Sequence, residues 1–175
     1  VLWNELNAIA VGIGPGNFTG IRLSVSAVRG LALNLGIPAI AISNFEILEG
    51  LGQKKNEDGQ IKVLSLKGPG TSAYVQISNK KSDETTNLHI NLENISLDIP
   101  LDLETKIIGY KAKEIALSIG CKYESRDLEN IPVNIVKIGR EKFLSGIISK
   151  TRPYPLYIKE ADAISAENTK LKVFT

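Results

Sequence analysis

Along the chain, apolar positions come in blocks whose spacing shifts from continuous to helical and back. Residues 8–14 (AIAVGIG) form a short unbroken apolar run closed by glycine, which predicts a buried strand. Residues 20–35 change period. Ile21, Val25, Val28, Ala32 and Leu35 fall on one stripe, which predicts a helix, with Thr19 standing where an N-cap would. Gly36 followed by Pro38 is a helix stop, and residues 38–43 (PAIAIS) predict a second buried strand. Two apolar strands joined by a helix imply a right-handed βαβ unit with parallel strands. Residues 45–52 continue as a short helix.

Beyond this unit the pattern breaks at QKKNEDGQ, residues 53–60, a candidate lobe boundary. Residues 61–78 predict two strands around a Gly-Pro-Gly turn, and residues 79–87 an exposed loop. NLHINLENISL suggests one weak strand. Residues 105–110 predict a strand, 111–120 a helix, and 133–149 a second helical pattern. The prolines of RPYPLYI make the tail from Thr151 extended. The fold class is therefore α/β in two parts. Residues 1–52 belong to an N-terminal lobe. Residues 61–175 form mainly a second lobe, with the C-terminal tail returning to the first.

Composition narrows the function only a little. Lys plus Arg is 21 and Asp plus Glu is 19, a net charge of +2, too small to imply nucleic-acid binding. The single cysteine, Cys121, excludes an internal disulfide and suits a reducing compartment. No apolar run approaches the roughly 20 residues that span a bilayer, so no membrane partner is expected. The chain starts at Val1 and contains no methionine, so a fragment lacking its first segment is expected.

The candidate chemistry lies in VGIGPGNFTGIR, residues 11–22, where Gly12, Gly14, Gly16 and Gly20 precede the helix. The dinucleotide fingerprint fails, since Asn17 or Thr19 stands where its third glycine belongs, and no lysine follows Gly20 as a P-loop requires. Two readings stand. Gly12, Gly14, Gly16, Asn17, Thr19 and Gly20 shape a tight strand-to-helix turn, or the amides of residues 20–22 face outward as a weak anion site. Arg22, Ser26 and Arg29 share a helix face, read either as a partner- or anion-binding stripe or as a solvated edge. Gly30 costs about 1 kcal/mol relative to alanine inside a helix, which points to close approach of another backbone there.

GIGPGNFTGIRLSVSAVRGLALNLGIPAIAISNFEIL resembles the signature of the TsaB (YeaZ) family: GxGPGSFTGxR, a small-residue helix, LGIP, and a strand ending in serine. The match covers residues 6–49; IIGYKAKEIA at 107–116 and PLYIKEADA at 155–163 agree more weakly. The resemblance implies an actin-like ATPase (ribonuclease H-like, sugar-kinase) fold in two lobes, the first incomplete here. It also implies a cytoplasmic accessory subunit of the bacterial complex that makes N6-threonylcarbamoyladenosine in tRNA. The implied partners are a TsaD-like catalytic subunit and a TsaE-like ATPase, with self-association and indirect contact with tRNA. First-lobe helices carry the pairing, which makes Arg22, Ser26, Arg29 and Gly30 the partner-binding candidates. No intrinsic cofactor is implied; ATP or ADP with magnesium would bind only weakly or within the complex. Three departures stand out: Asn17 replaces serine, Lys67–Gly70 replaces an Asp-Ala-Arg stretch, and the opening Ile-Asp-Thr-Ser strand is absent.

Catalytic and metal residues are not expected. One histidine, His89, cannot form a two-histidine metal pair, and no Gly-x-Ser-x-Gly elbow occurs. His89 reads as an exposed loop or strand residue, Cys121 as a small hydrophobe, and Trp3 as packing against an absent segment. Glu57, Asp58, Asp83, Glu84, Asp98, Asp102 and Glu104 read as solvated charges. The rival reading is a nucleotide-binding small-molecule kinase or ATPase of the same fold. It rests on a second Gly-Pro-Gly, residues 68–70, facing the first loop.

Overall fold

A computed structural model of the protein describes residues 2–50, 61–79, 84–95, 97, 105–148 and 151–158. Strand β1 (Ile9–Gly14), helix α1 (Phe18–Leu35) and strand β2 (Ala39–Ser43) follow the expected order, and β1 and β2 pair in parallel. The helix starts two residues earlier than its apolar stripe suggests. Asn17, not Thr19, is the N-cap, its side chain accepting from the Gly20 amide at 3.0 Å. At the other end Gly36 turns left-handed at φ 66°, donating its amide to the Ala32 and Leu33 carbonyls.

Helix α2 (Asn44–Gly50) begins directly after β2 with a reciprocal cap. The Glu46 amide donates to the Ser43 hydroxyl, and the Ser43 amide donates to the Glu46 carboxylate. This pairing satisfies two amides that a helix start otherwise leaves bare. Phe45, Ile47 and Leu48 of α2 are fully buried. Ile47 joins Ile40 and Ile42 of β2, while Phe45 and Leu48 pack on Leu64, Leu66 and Ile108 of the second sheet. One short helix thus joins both cores, each large side chain contributing about 1.5–3 kcal/mol by burial.

The second sheet has five strands in the order β5-β4-β3-β6-β7: β3 (Ile61–Lys67), β4 (Ser72–Asn79), β5 (Glu84–Asn91), β6 (Lys106–Gly109) and β7 (Lys122–Ser125). β3–β4 and β4–β5 are antiparallel, β3–β6 and β6–β7 parallel. The Gly-Pro-Gly turn joins β3 to β4 as expected. The loop expected over 79–87 does not hold, because β5 pairs with β4 from Glu84 onward. Helix α3 (Ala112–Ile119) covers one face, burying Ile115 and Ala116 with Val63, Val75 and Ile107.

Helix α4 (Ile131–Leu144) lies against the βαβ unit, opposite α1. Ile135 and Ile138 join the core of β2, and Lys142 pairs with Glu46 and donates to the Ala41 carbonyl at 3.1 Å. The last described segment returns to β1, where the Leu156 amide donates to the Ile13 carbonyl at 2.8 Å. The polar break at 53–60 lies outside the described residues, as do Glu57, Asp58, Asp83, Asp98, Asp102 and Glu104.

A charged link closes the far edge. Glu124 of β7 accepts from Lys106 at 2.6 Å and pairs with Arg126, whose other nitrogen donates to the Leu48 carbonyl at 2.8 Å. Lys106 first, then Arg126, holds the Glu124 carboxyl below its ordinary value of 4.5. A lowered folded value means that this stability is present above the ordinary value and fades as pH falls through the lowered one. We expect the melting temperature to drop over that acid window and Glu124→Gln to flatten the drop. The group is about a third exposed, so the effect is modest; equal pH profiles for both proteins would refute the link.

Candidate functional site

The glycine turn is built inward. Gly14 adopts φ +93°, and a Cβ there would meet the Ile21 side chain at 2.6 Å. A Cβ on Gly12 would press Ile135 of α4 at 3.1 Å. Gly16 and Gly20 have only ordinary neighbours beyond 3.4 Å. The turn is tied from two sides, by Asn44 Nδ2 donating to the Pro15 carbonyl at 2.8 Å and by Leu156 on Ile13. The amides at 20–22 do not face outward as the anion reading requires. Gly20 N–H goes to Asn17 Oδ1, and Ile21 N–H goes to the Asn17 carbonyl at 3.0 Å. Gly14, with its positive φ, and Gly12, with its close neighbour, are the two glycines whose surroundings leave no room for a side chain, and Asn17 spends its side chain on the cap.

Of the four stripe candidates, one is engaged within the chain. Arg22 folds back: its Nε donates to Tyr157 Oη at 2.6 Å, and its guanidinium lies 3.7 Å from the Phe18 ring centroid. Phe18 and Tyr157 sit 5.4 Å apart, tilted by 42°. These contacts offset the unfavourable position of a cation in the first helical turn, a cost of roughly 0.3–1 kcal/mol. Arg22 therefore straps the returning segment to α1. Ser26 and Arg29 are exposed. Gly30 is exposed too, and a Cβ there would meet nothing within 4 Å, so among the described residues no element makes the close approach its position suggests.

The outer face of α1 is wider than that stripe. Thr19, Leu23, Ser26, Ala27, Gly30, Leu33 and Asn34 are all exposed, with Leu23 at 72% and Leu33 at 69%. They recur at helical spacing opposite the buried Val25 and Ala32, and carry no charge. Leu23 and Leu33 were legible only as leucines off the buried stripe. Trp3 and Leu2 are also exposed, at 62% and 66%.

The remaining candidates resolve chemically. His89 lies in a strand, one of its two expected places, but is half-buried where exposure was expected, stacked 5.0 Å from Tyr74, with Nε2 2.7 Å from Ser72 Oγ. The Ser72 hydroxyl donates its only proton to the Pro69 carbonyl at 2.6 Å, so it accepts from His89 Nε2–H. A protonated Nε2 is no base toward Ser72, and the pair locks the Gly-Pro-Gly turn. Cys121 is partly buried, and that burial raises its thiol above its ordinary value. A polar cavity of about 680 Å³ opens at the ends of β6 and β7 beside Gly109 and Tyr110. Both of its cations are already paired, Lys111 with Glu114 at 2.6 Å and Arg126 as above, and Asp127 and Glu129 add two more acidic side chains to its wall. Among the described residues no group of acidic, histidine or cysteine side chains is arranged for a metal ion, and no helix is long and apolar enough to cross a membrane.

Similarity to known proteins agrees with this geometry. Residues 1–65 match the family described as TsaD, tRNA N6-adenosine threonylcarbamoyltransferase. Proteins named tRNA threonylcarbamoyladenosine biosynthesis protein TsaB are similar. That of Buchnera aphidicola subsp. Schizaphis graminum is 42% identical over 59 residues, 34% of this chain and 28% of that protein. That of Escherichia coli K12 is 38% identical over 61 residues, 35% of this chain and 26% of that protein. These two alignments thus span about a quarter of the relatives' own length. The Buchnera aphidicola subsp. Baizongia pistaciae protein is 27% identical over 169 residues, 90% of this chain and 75% of that one. Two solved Pseudomonas aeruginosa structures share the fold at 18% identity. A protein described as similar to peptidase YeaZ has TM-score 0.61, covering 91% of this chain and 76% of that one. YeaZ itself has TM-score 0.58, covering 90% and 77%. The chain thus resembles proteins named TsaB, one of them over 90% of this chain's length, and shares the actin-like ATPase-type fold of the solved YeaZ structures.

Proposed function

We propose that this chain is a non-catalytic docking subunit of the machinery that makes N6-threonylcarbamoyladenosine in tRNA. It pairs with a TsaD-like catalytic subunit through the outer face of α1, and a TsaE-like ATPase and tRNA meet it through that pair. The observation that carries this reading is the uncharged face from Thr19 to Asn34, exposed over its whole length. Two leucines flank a small-residue centre at Ser26, Ala27 and Gly30, a shape that lets another helix come close. The names of the relatives support the pathway, and the spent hydrogen bonds of Asn17, Gly20 and His89 favour docking over phosphate binding or hydrolysis.

Gly30→Leu tests this with two readouts of opposite sign. A leucine fills open space and is the better helix former by roughly 0.5–1 kcal/mol, so the melting temperature should rise by about 1–4 °C. The same side chain blocks close approach, so affinity for the TsaD-like subunit should fall about tenfold. Size-exclusion co-elution and calorimetry read the second effect; wild-type affinity in the variant would overturn the proposal.

A further inference from the structure

We propose, resting on the docking reading above, that a cavity at the C-terminal end of α1 is a carboxylate receptor. It takes an acidic side chain of the partner that docks on α1. The cavity has a volume of about 320 Å³ and lies between the end of α1 and the segment around Arg152. Arg29 and Arg152 both line it, and among the described residues no acidic one does. Among the described residues neither guanidinium has a hydrogen bond or an ion pair, in contrast to Arg22 and Arg126. Two unspent guanidiniums on one cavity present ten N–H donors to a ligand that supplies only acceptors, an order set by the five donors of each group.

The walls choose among anions. Ala32, Ile37, Pro38 and Pro153 form an apolar floor. The Gly36 and Ile37 amides already bond the Ala32 and Leu33 carbonyls, and the two prolines have none, so the end of α1 adds no amide nest for a phosphate to the two arginines. A carboxylate needs only the two forks, and its methylenes or an apolar neighbour fit the floor. Leu33 selects the source, because it belongs both to the outer face of α1 and to the cavity wall. A chain lying along α1 therefore reaches the arginines without a further bend. Both arginines are exposed, so reversing them leaves the fold intact.

The test is calorimetric titration of the whole chain with the TsaD-like subunit at low and high salt. Arg29→Glu combined with Arg152→Glu should weaken binding about tenfold or more and remove most of its salt dependence. Arg29→Lys with Arg152→Lys should recover part of the loss. Arg140→Glu, exposed on α4 and outside the cavity, should change affinity less than about twofold. Binding by the double reversal within twofold of wild type, in an assay where Gly30→Leu weakens it, would overturn the receptor and leave docking standing. An equal loss from Arg140→Glu would also overturn it, as general charge attraction. If neither Gly30→Leu nor the double reversal has an effect, the docking reading falls and takes this inference with it.

Discussion

Gly109→Ala should lower stability by about 3–5 kcal/mol, a drop of roughly 6–20 °C in melting temperature for a chain of this size. Gly109 ends β6 at φ +118°, a region that L side chains rarely enter. A Cβ there would sit 2.1 Å from the Ser65 carbonyl oxygen and 2.8 Å from Leu48 Cδ2. The oxygen cannot yield cheaply, because it belongs to the central strand β3 and accepts the Tyr110 amide at 2.8 Å. The clash also pushes on Leu48, which ties α2 to the second sheet. Gly70→Ala is the matched control. It too has positive φ, +55°, but open space around it, so it should cost only about 1 kcal/mol of backbone strain. Differential scanning calorimetry separates the two, and a Gly109→Ala protein melting with the Gly70→Ala protein would refute the packing argument.

What could be read from the sequence follows what each segment buries. β1, α1 and β2 bury one continuous face each, so their periods show. The apolar stripe of α1 begins only at Ile21 and Thr19 offers a cap just before it, so the true start at Phe18 shows only once the Gly20 amide is seen on the Asn17 side chain. β5 was hidden for another reason. It is an edge strand, and ETTNLHIN alternates polar residues with Leu88 and Ile90, of which only Ile90 is buried. A half-polar edge looks like a loop until its partner strand is known. The same limit applies to the site. The sequence singled out the charged edge of α1, because arginines stand out, whereas the structure folds Arg22 onto Phe18 and Tyr157. It leaves the uncharged neighbours of Gly30 in the open. Pairing Arg29 with Arg152 needed the tail to return, a long-range contact that no local pattern encodes.

The same reasoning makes Gly139→Ala the counterpart of Gly30→Leu. Both are glycines inside helices, and propensity alone favours replacing each by roughly 0.5–1 kcal/mol. Their surroundings reverse the outcome for Gly139. A Cβ there would meet the Ala10 Cβ at 2.7 Å and Ile42 Cδ1 at 3.4 Å, both on the β1–β2 pair. Neither side chain has a long free end to move away; Ala10 has none, and Ile42 is fully buried. Helix α4 must therefore back off from the sheet, loosening Ile135 and Ile138 and lengthening the reach of Lys142 to Glu46. We expect a net loss of about 2–3 kcal/mol, which thermal melting reads as roughly 4–12 °C. Because α4 supports the sheet from the side opposite α1, this variant should also lose partner binding, but only at temperatures where it begins to unfold. Gly30→Leu should lose binding while melting higher. Association measured well below the melting transition tells these apart: normal binding by Gly139→Ala and weak binding by Gly30→Leu is the expected crossing. A cold Gly139→Ala protein that fails to bind would mean that the orientation of α1, and not just its exposed surface, is set by the packing of α4 beneath it.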